Sequence, residues 1–126
     1  MHYLVDAYNL LFRRLGWHDD LRAQREKMVE RLNEKVDLTG WETTLVFDAI
    51  HQYGDATRSR HDALDIIFTG EGVTADDHIV DIVKRASHPR SLIVVSSDKR
   101  LCWEARNYGA DTLSVEEFEA KLNKRY

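Results

Sequence analysis

"SLIVVSSDKRLCWEARNYGADTL", residues 91–113, sets a strand, a helix and a second strand one after another. Its first part runs from Leu92 to Val95 without polar alternation, the pattern of a strand buried on both faces. Residues 99–109 read as a helix that stops at Gly109, a residue suited to a left-handed C-terminal cap. The "DTL" of residues 111–113 reads as a short strand. Two strands joined through a helix pair in parallel, with the helix lying on one face of the sheet. This one unit therefore points to an α/β fold.

The same alternation continues outward in both directions. "HYLVDA" (2–7), "ETTLVFDA" (42–49) and "ALDIIFTG" (63–70) read as further buried strands. Residues 19–38 read as a helix with Leu21, Met28, Leu32 and Val36 in one stripe, Val29 beside them, and Asp19 or Asp20 as cap. Residues 75–88 form a second helical pattern, with Ile79, Ile82, Val83 and Ala86 on its apolar face. Ser114 and Glu117 have capping-box spacing at the head of a last helix over 114–126. Residues 51–61 read as a loop or short helix. No repeat, low-complexity stretch or linker interrupts the series. The expectation is one domain over 1–126, a three-layer α/β/α sandwich around a mainly parallel sheet.

Composition narrows the function. A net charge of −4 excludes a protein that coats nucleic acid by bulk electrostatics, so any such contact is local or assisted by a partner. A single cysteine, Cys102, allows no internal disulfide and points to a reducing cytoplasm. No apolar run approaches the ~20 residues of a membrane span, and the N-terminus lacks the pattern of a signal peptide. The stretch "TGEGVT" (69–74) lacks the lysine and the spacing of a phosphate-binding loop, which argues against a small-molecule cofactor. The histidines are scattered and show no zinc-binding spacing. Ser96 and Ser97 lack the glycines of a nucleophile elbow. Cys102, Trp17, Trp41 and Trp103 read as core residues.

In an α/β sheet, ligands bind beyond the carboxyl ends of the strands, near the topological switch point. Asp6, Asp48 and Asp98 all follow strands directly, and the loop after the third strand delivers Glu71, Asp76 and Asp77. Each has a plain reading as a helix cap or a loop residue. Together on one edge they repel one another, a cost that a divalent cation relieves. Oxygen donors without His or Cys favour Mg²⁺ or Mn²⁺. Within the helix over 75–88, Asp76 shares the face of Ile79, Val80 and Val83, whereas Asp77 shares the polar row of Asp81, Lys84 and Arg85. Asp76 is therefore the expected ligand, with Asp77, Asp48 and Glu71 as supporting acids. Asn9 can hydrogen-bond a neighbouring acid or a phosphate, or satisfy its own backbone.

"YLVDAYNLL", "LVFDA", "IIFTGEGVTADDHI", "IVVSSDKRL" and "YGADTLSVEEF" together resemble the YacP-like branch of the NYN ribonucleases, within the PIN-like nuclease superfamily. The resemblance runs from about Tyr3 to Phe118. It implies a Rossmann-like fold and a metal-dependent endoribonuclease acting on messenger RNA in association with the ribosome. It places Asp6, Asp76 and Asp98 at the acidic metal site, Asn9 at the motif asparagine and Asp48 at the second-strand aspartate. Two positions depart from the family pattern: Val80 and Val73 stand where glutamates are usual, with Asp81 and Glu71 nearby. For the RNA groove the candidates are Arg13, Arg14, Arg58, Arg60, Lys99 and Arg100, with Tyr8 or Trp17 as a stacking ring. Two rival readings accompany this one: a non-catalytic RNA- or ribosome-binding domain, and a nuclease of the same superfamily directed at DNA.

Overall fold

Alternate residues of β1 (His2–Asp6) go to opposite faces of the sheet, and this sorts the core into two layers. Tyr3 and Val5 join one apolar cluster, while Leu4 joins the other. The computed structural model describes residues 1–15, 21–48 and 57–124, without the side chains of 13–15. After β1 come α1 (Ala7–Leu15), α2 (Leu21–Thr39), β2 (Glu42–Phe47), β3 (Thr57–His61) and β4 (Leu64–Phe68). Then follow α3 (Ala75–Arg85), β5 (Leu92–Val95), α4 (Lys99–Asn107), β6 (Asp111–Leu113) and α5 (Val115–Asn123).

The six strands form one sheet in the order β3-β4-β2-β1-β5-β6. Every pairing is parallel except that of β3 with β4. Residues of α1, α2 and α5 cover one face, and residues of α3 and α4 cover the other. This is the expected three-layer α/β sandwich with a mainly parallel sheet. On the first face Phe118 is fully buried, 5.4 Å from the Tyr3 ring, which stacks on Trp41 at 5.0 Å. Truncating such an aromatic to alanine costs about 3–5 kcal/mol. Cys102 is buried, as expected of a core residue, and burial pushes its thiol pKa up.

The chain steps outward from β1 to β2 and β4, then returns through α3 to β5 on the far side of β1. The switch point therefore lies between β1 and β5.

Four features differ from the sequence expectation. Residues 57–61 form an antiparallel edge strand and not a loop or short helix; 51–56 lie outside the described residues. Every residue of β3 is exposed, so it carries no apolar alternation to reveal it. A helix, α1, starts at Ala7 directly after the first strand. The helix over 75–88 ends at Arg85, with Ala86 as an extended cap ahead of Pro89. Trp103 is exposed, because Leu101, Cys102 and Ala105 take the buried face of α4. Trp17, Asp19 and Asp20 fall outside the described residues. Among the described residues, no helix is long and apolar enough to cross a membrane.

Candidate active site

The strand period brings the acids to one face. Asp6 is in phase with Leu4, Asp48 with Val46, and Ser96 with Val94, and these three apolar residues belong to the layer under α3 and α4. Asp6 pairs in register with Val46, and Val5 with Val95, so the strand ends lie side by side at the switch point. Asp6 and the Ser96–Asp98 segment thus flank the position where α/β sheets bind their ligands.

Asp6 is only 9% exposed. Its carboxylate accepts the Ser96 hydroxyl at 3.1 Å and the backbone N–H of Asn9, the third residue of α1. It therefore caps α1 while standing in the cluster. Ser96 is buried as well, and its Oγ accepts the Asp98 N–H at 3.0 Å. Asp98 caps α4: its Oδ1 accepts the N–H groups of Arg100 and Leu101 at 2.9 and 3.2 Å. Asn9 holds the same loop from the other side, its Oδ1 accepting the Ser97 N–H at 2.8 Å.

Asp76 approaches from the first turn of α3. That helix is capped by others: Thr74 Oγ1 accepts the Asp77 N–H at 3.1 Å, and Asp48 Oδ2 accepts the Ala75 N–H at 3.3 Å. The Asp76 carboxyl is partly buried and faces the Asp98 carboxyl closely enough for their charges to repel. Asp77 points to solvent, as its helical phase predicts.

The electrostatics follow from this crowding. Burial, reinforced by repulsion from Asp76, pushes the Asp6 pKa up to about 6, against the opposing hydrogen bonds from Ser96 and Asn9. Burial and then the neighbouring Asp98 push Asp76 up to about 6 as well, with Asp77 and Asp48 adding repulsion. The cluster is strained by its own charge.

The remaining expected residues scatter. Glu71 stays exposed on the turn after β4. Lys99 and Arg100 are exposed at the start of α4, and Arg100 shares a cleft of about 250 Å³ with Asp76, Asp77 and Val80. Arg58 and Arg60 lie on the edge strand β3, separated by β4 and β2 from β1 and Asp6, and both pair with Asp65, at 3.7 and 3.2 Å. The side chains of Arg13 and Arg14 lie outside the described residues. Tyr8 is buried, stacked on Phe12 and set edge-on to Phe47, with its hydroxyl accepting from Arg25. Its ring belongs to the core and is not open for stacking a base. Sequence reasoning missed the bridging role of Ser96. Its signal was the phase of Val94 and Ser96, which turns a polar residue toward the buried layer.

The donors are all oxygen, which fits a hard divalent cation. Among the described residues, no three His, Cys, Asp or Glu side chains are arranged to hold a metal by themselves. Mg²⁺ sites commonly use one or two carboxylates and keep several waters, so an open acidic cluster fits that ion.

Comparison with known proteins places the whole chain. The family model for the YacP-like NYN domain matches residues 3–126. The uncharacterized protein YacP of Bacillus subtilis (strain 168) is 29% identical over 137 residues, covering 97% of this chain and 79% of that protein. The crystal structure of Rae1 (YacP) from Bacillus subtilis, as the W164L mutant, superposes with a TM-score of 0.76 at 25% identity, covering 98% of this chain and 76% of that one. A second crystal structure of Rae1 (YacP) gives a TM-score of 0.69 at 24% identity, covering 98% of this chain and 74% of that one, and supports the fold. The chain belongs to the YacP-like NYN domain family and is a domain of nuclease type.

Proposed function

We propose that the chain is a metal-dependent endoribonuclease that hydrolyses RNA phosphodiester bonds, with messenger RNA on the ribosome as its substrate. The observation that carries this reading is Asp76. Capping accounts for Asp98 and for part of Asp6, but α3 is capped by Thr74 and Asp48. Asp76 is nonetheless turned against a second carboxyl, where its charge is disfavoured. The first turn of α3 favours an acid through the helix dipole, but not one set against a second carboxylate, a placement that suits a cation site.

Asp6, Asp76 and Asp98 would hold Mg²⁺ or Mn²⁺ together with water rather than as a closed set of three ligands, with Asp48 supporting from the head of α3. A divalent ion bound there supplies Lewis acidity toward the scissile phosphate and acidifies water. Ser96 fixes Asp6 Oδ2, and Asn9 fixes the loop that carries Asp98. Lys99 and Arg100, at the N-terminus of α4, hold substrate phosphate beside the acids. Hydrolysis by water leaves 5′-phosphate and 3′-hydroxyl ends and makes no use of the RNA 2′-hydroxyl. The acidic net charge of −4 is compatible with a ribosome providing the tether. The cytoplasm is the corresponding compartment.

The second reading, a non-catalytic RNA- or ribosome-binding domain, draws on the same caps, since Asp6 and Asp98 serve the fold even without chemistry. RNA cleavage in a translating extract with Mg²⁺, comparing wild type with Asp6→Asn, separates the two. The expected result is cutting with 5′-phosphate ends by wild type and none by the variant. Ribosome binding without cutting by either protein establishes the second reading. Cutting of a DNA strand in preference to RNA assigns the domain to DNA.

A further inference from the structure

We infer that the exposed face of α4 carries the single-stranded RNA beside the scissile phosphate, with one base stacked on Trp103. This inference deepens the nuclease reading and rests on it. Trp103 is 61% exposed, an unusual state for an indole on a helix whose opposite face is core. Lys99 lies four residues before it and Arg106 three residues after, so the three share one helical face about 10 Å long, from the 1.5 Å rise per residue. Both basic residues are exposed.

This face forms one wall of a groove of about 680 Å³. Ser96, whose hydroxyl donates to Asp6, and Ser97 also line the groove, which brings it alongside the loop that carries Asp98. Arg106 Nη1 donates to Thr112 Oγ1 at 2.8 Å, which holds the guanidinium along the groove. The other wall carries Glu116 and Glu117, which accept from the Ser97 hydroxyl and from the Ser114 N–H. Phosphates therefore track the α4 wall, where Lys99 and Arg106 bracket an aromatic surface. Cations at turn spacing around an exposed ring suit a nucleotide strand, whose bases all offer a π-face to the indole.

The test measures binding of a fluorescein-labelled ten-nucleotide single-stranded RNA to the full chain in Mg²⁺ buffer, on an Asp6→Asn background that leaves the RNA intact. Adding Trp103→Ala should weaken binding about tenfold, while Trp103→Phe should keep most of the affinity. Lys99→Ala should lower the slope of log affinity against log salt by about one, and Trp103→Ala should leave that slope unchanged. Circular dichroism should show the same melting for Trp103→Ala as for its parent, as at other exposed positions. Unchanged RNA affinity on Trp103→Ala overturns the inference, even where wild type cuts RNA and the nuclease reading stands. Failure of wild type to cut RNA in the extract removes the reading beneath, and the inference falls with it.

Discussion

The Ser96 hydroxyl donates to Asp6 at 3.1 Å, joining the ends of β1 and β5 across 90 positions of sequence. The same oxygen accepts the Asp98 N–H. One buried hydroxyl thereby sets the spacing of two acids that come from different strands. Ser96→Ala leaves the Asp98 N–H without its acceptor and Asp6 with only the Asn9 N–H as donor. The expected cost is about 1–3 kcal/mol, read as a lower urea midpoint, together with reduced RNA cleavage. A variant as stable and active as wild type would show that the bridge is incidental.

Asp76 offers the converse case. Removing its charge relieves repulsion with Asp98 and Asp6 and takes no cap from α3. Asp76→Asn should raise the thermal midpoint in metal-free buffer while losing cleavage by orders of magnitude. A lowered midpoint would mean that Asp76 serves the fold.

Asp98 has two roles, and two substitutions separate them. Asparagine caps helices as well as aspartate, so Asp98→Asn should hold stability within a few tenths of a kcal/mol while abolishing cleavage. Asp98→Ala should lose about 1 kcal/mol of stability as well, because two N–H groups of α4 lose their acceptor. Denaturation curves beside cleavage rates check both. Full activity in the asparagine variant would reduce Asp98 to a cap.

Stability should also depend on pH in a direction set by the buried acid. Asp6 titrates at about 6 in the fold against 3.8 ordinarily. Between those values the folded chain holds more protons than the unfolded one, so stability falls as pH rises through the interval. The two-unit shift of Asp6 caps its share at about 3 kcal/mol. Asp76 moves in the same direction but adds less, being partly exposed and screened by water. Millimolar Mg²⁺ favours the charged carboxylates and should flatten the fall. Thermal midpoints from about pH 4 to about pH 7, with and without Mg²⁺, measure both effects. His2 and Glu117, whose pKa values are lowered, oppose this trend, so the comparison is with Asp6→Asn: a midpoint whose pH dependence is the same in that variant would contradict the described burial.

How far the sequence revealed this depended on where apolar pattern exists. The unbroken runs of β1, β2 and β5 announce themselves because both faces are covered. The acids are legible for a related reason, since a carboxylate directly after such a run must sit at a strand end. The choice of Asp76 over Asp77 followed from helical phase, and the structure places one inward and the other in solvent. The strand β3 was not legible, because "TRSRH" is exposed throughout and is held by its ladder to β4 and the pairing of Arg58 and Arg60 with Asp65. The early start of α1 was hidden because Asp6 both ends the strand and caps the helix. Trp103 was misread by composition: aromatic residues are usually core, but here Leu101, Cys102 and Ala105 already fill the buried face.

The most direct test of the account is Mn²⁺ binding, followed by electron paramagnetic resonance on wild type and on Asp76→Asn. The account predicts saturable binding by wild type and a loss of at least tenfold in affinity for the variant, with the fold unchanged by circular dichroism. Equal Mn²⁺ binding by the two proteins, or none by wild type, would contradict it.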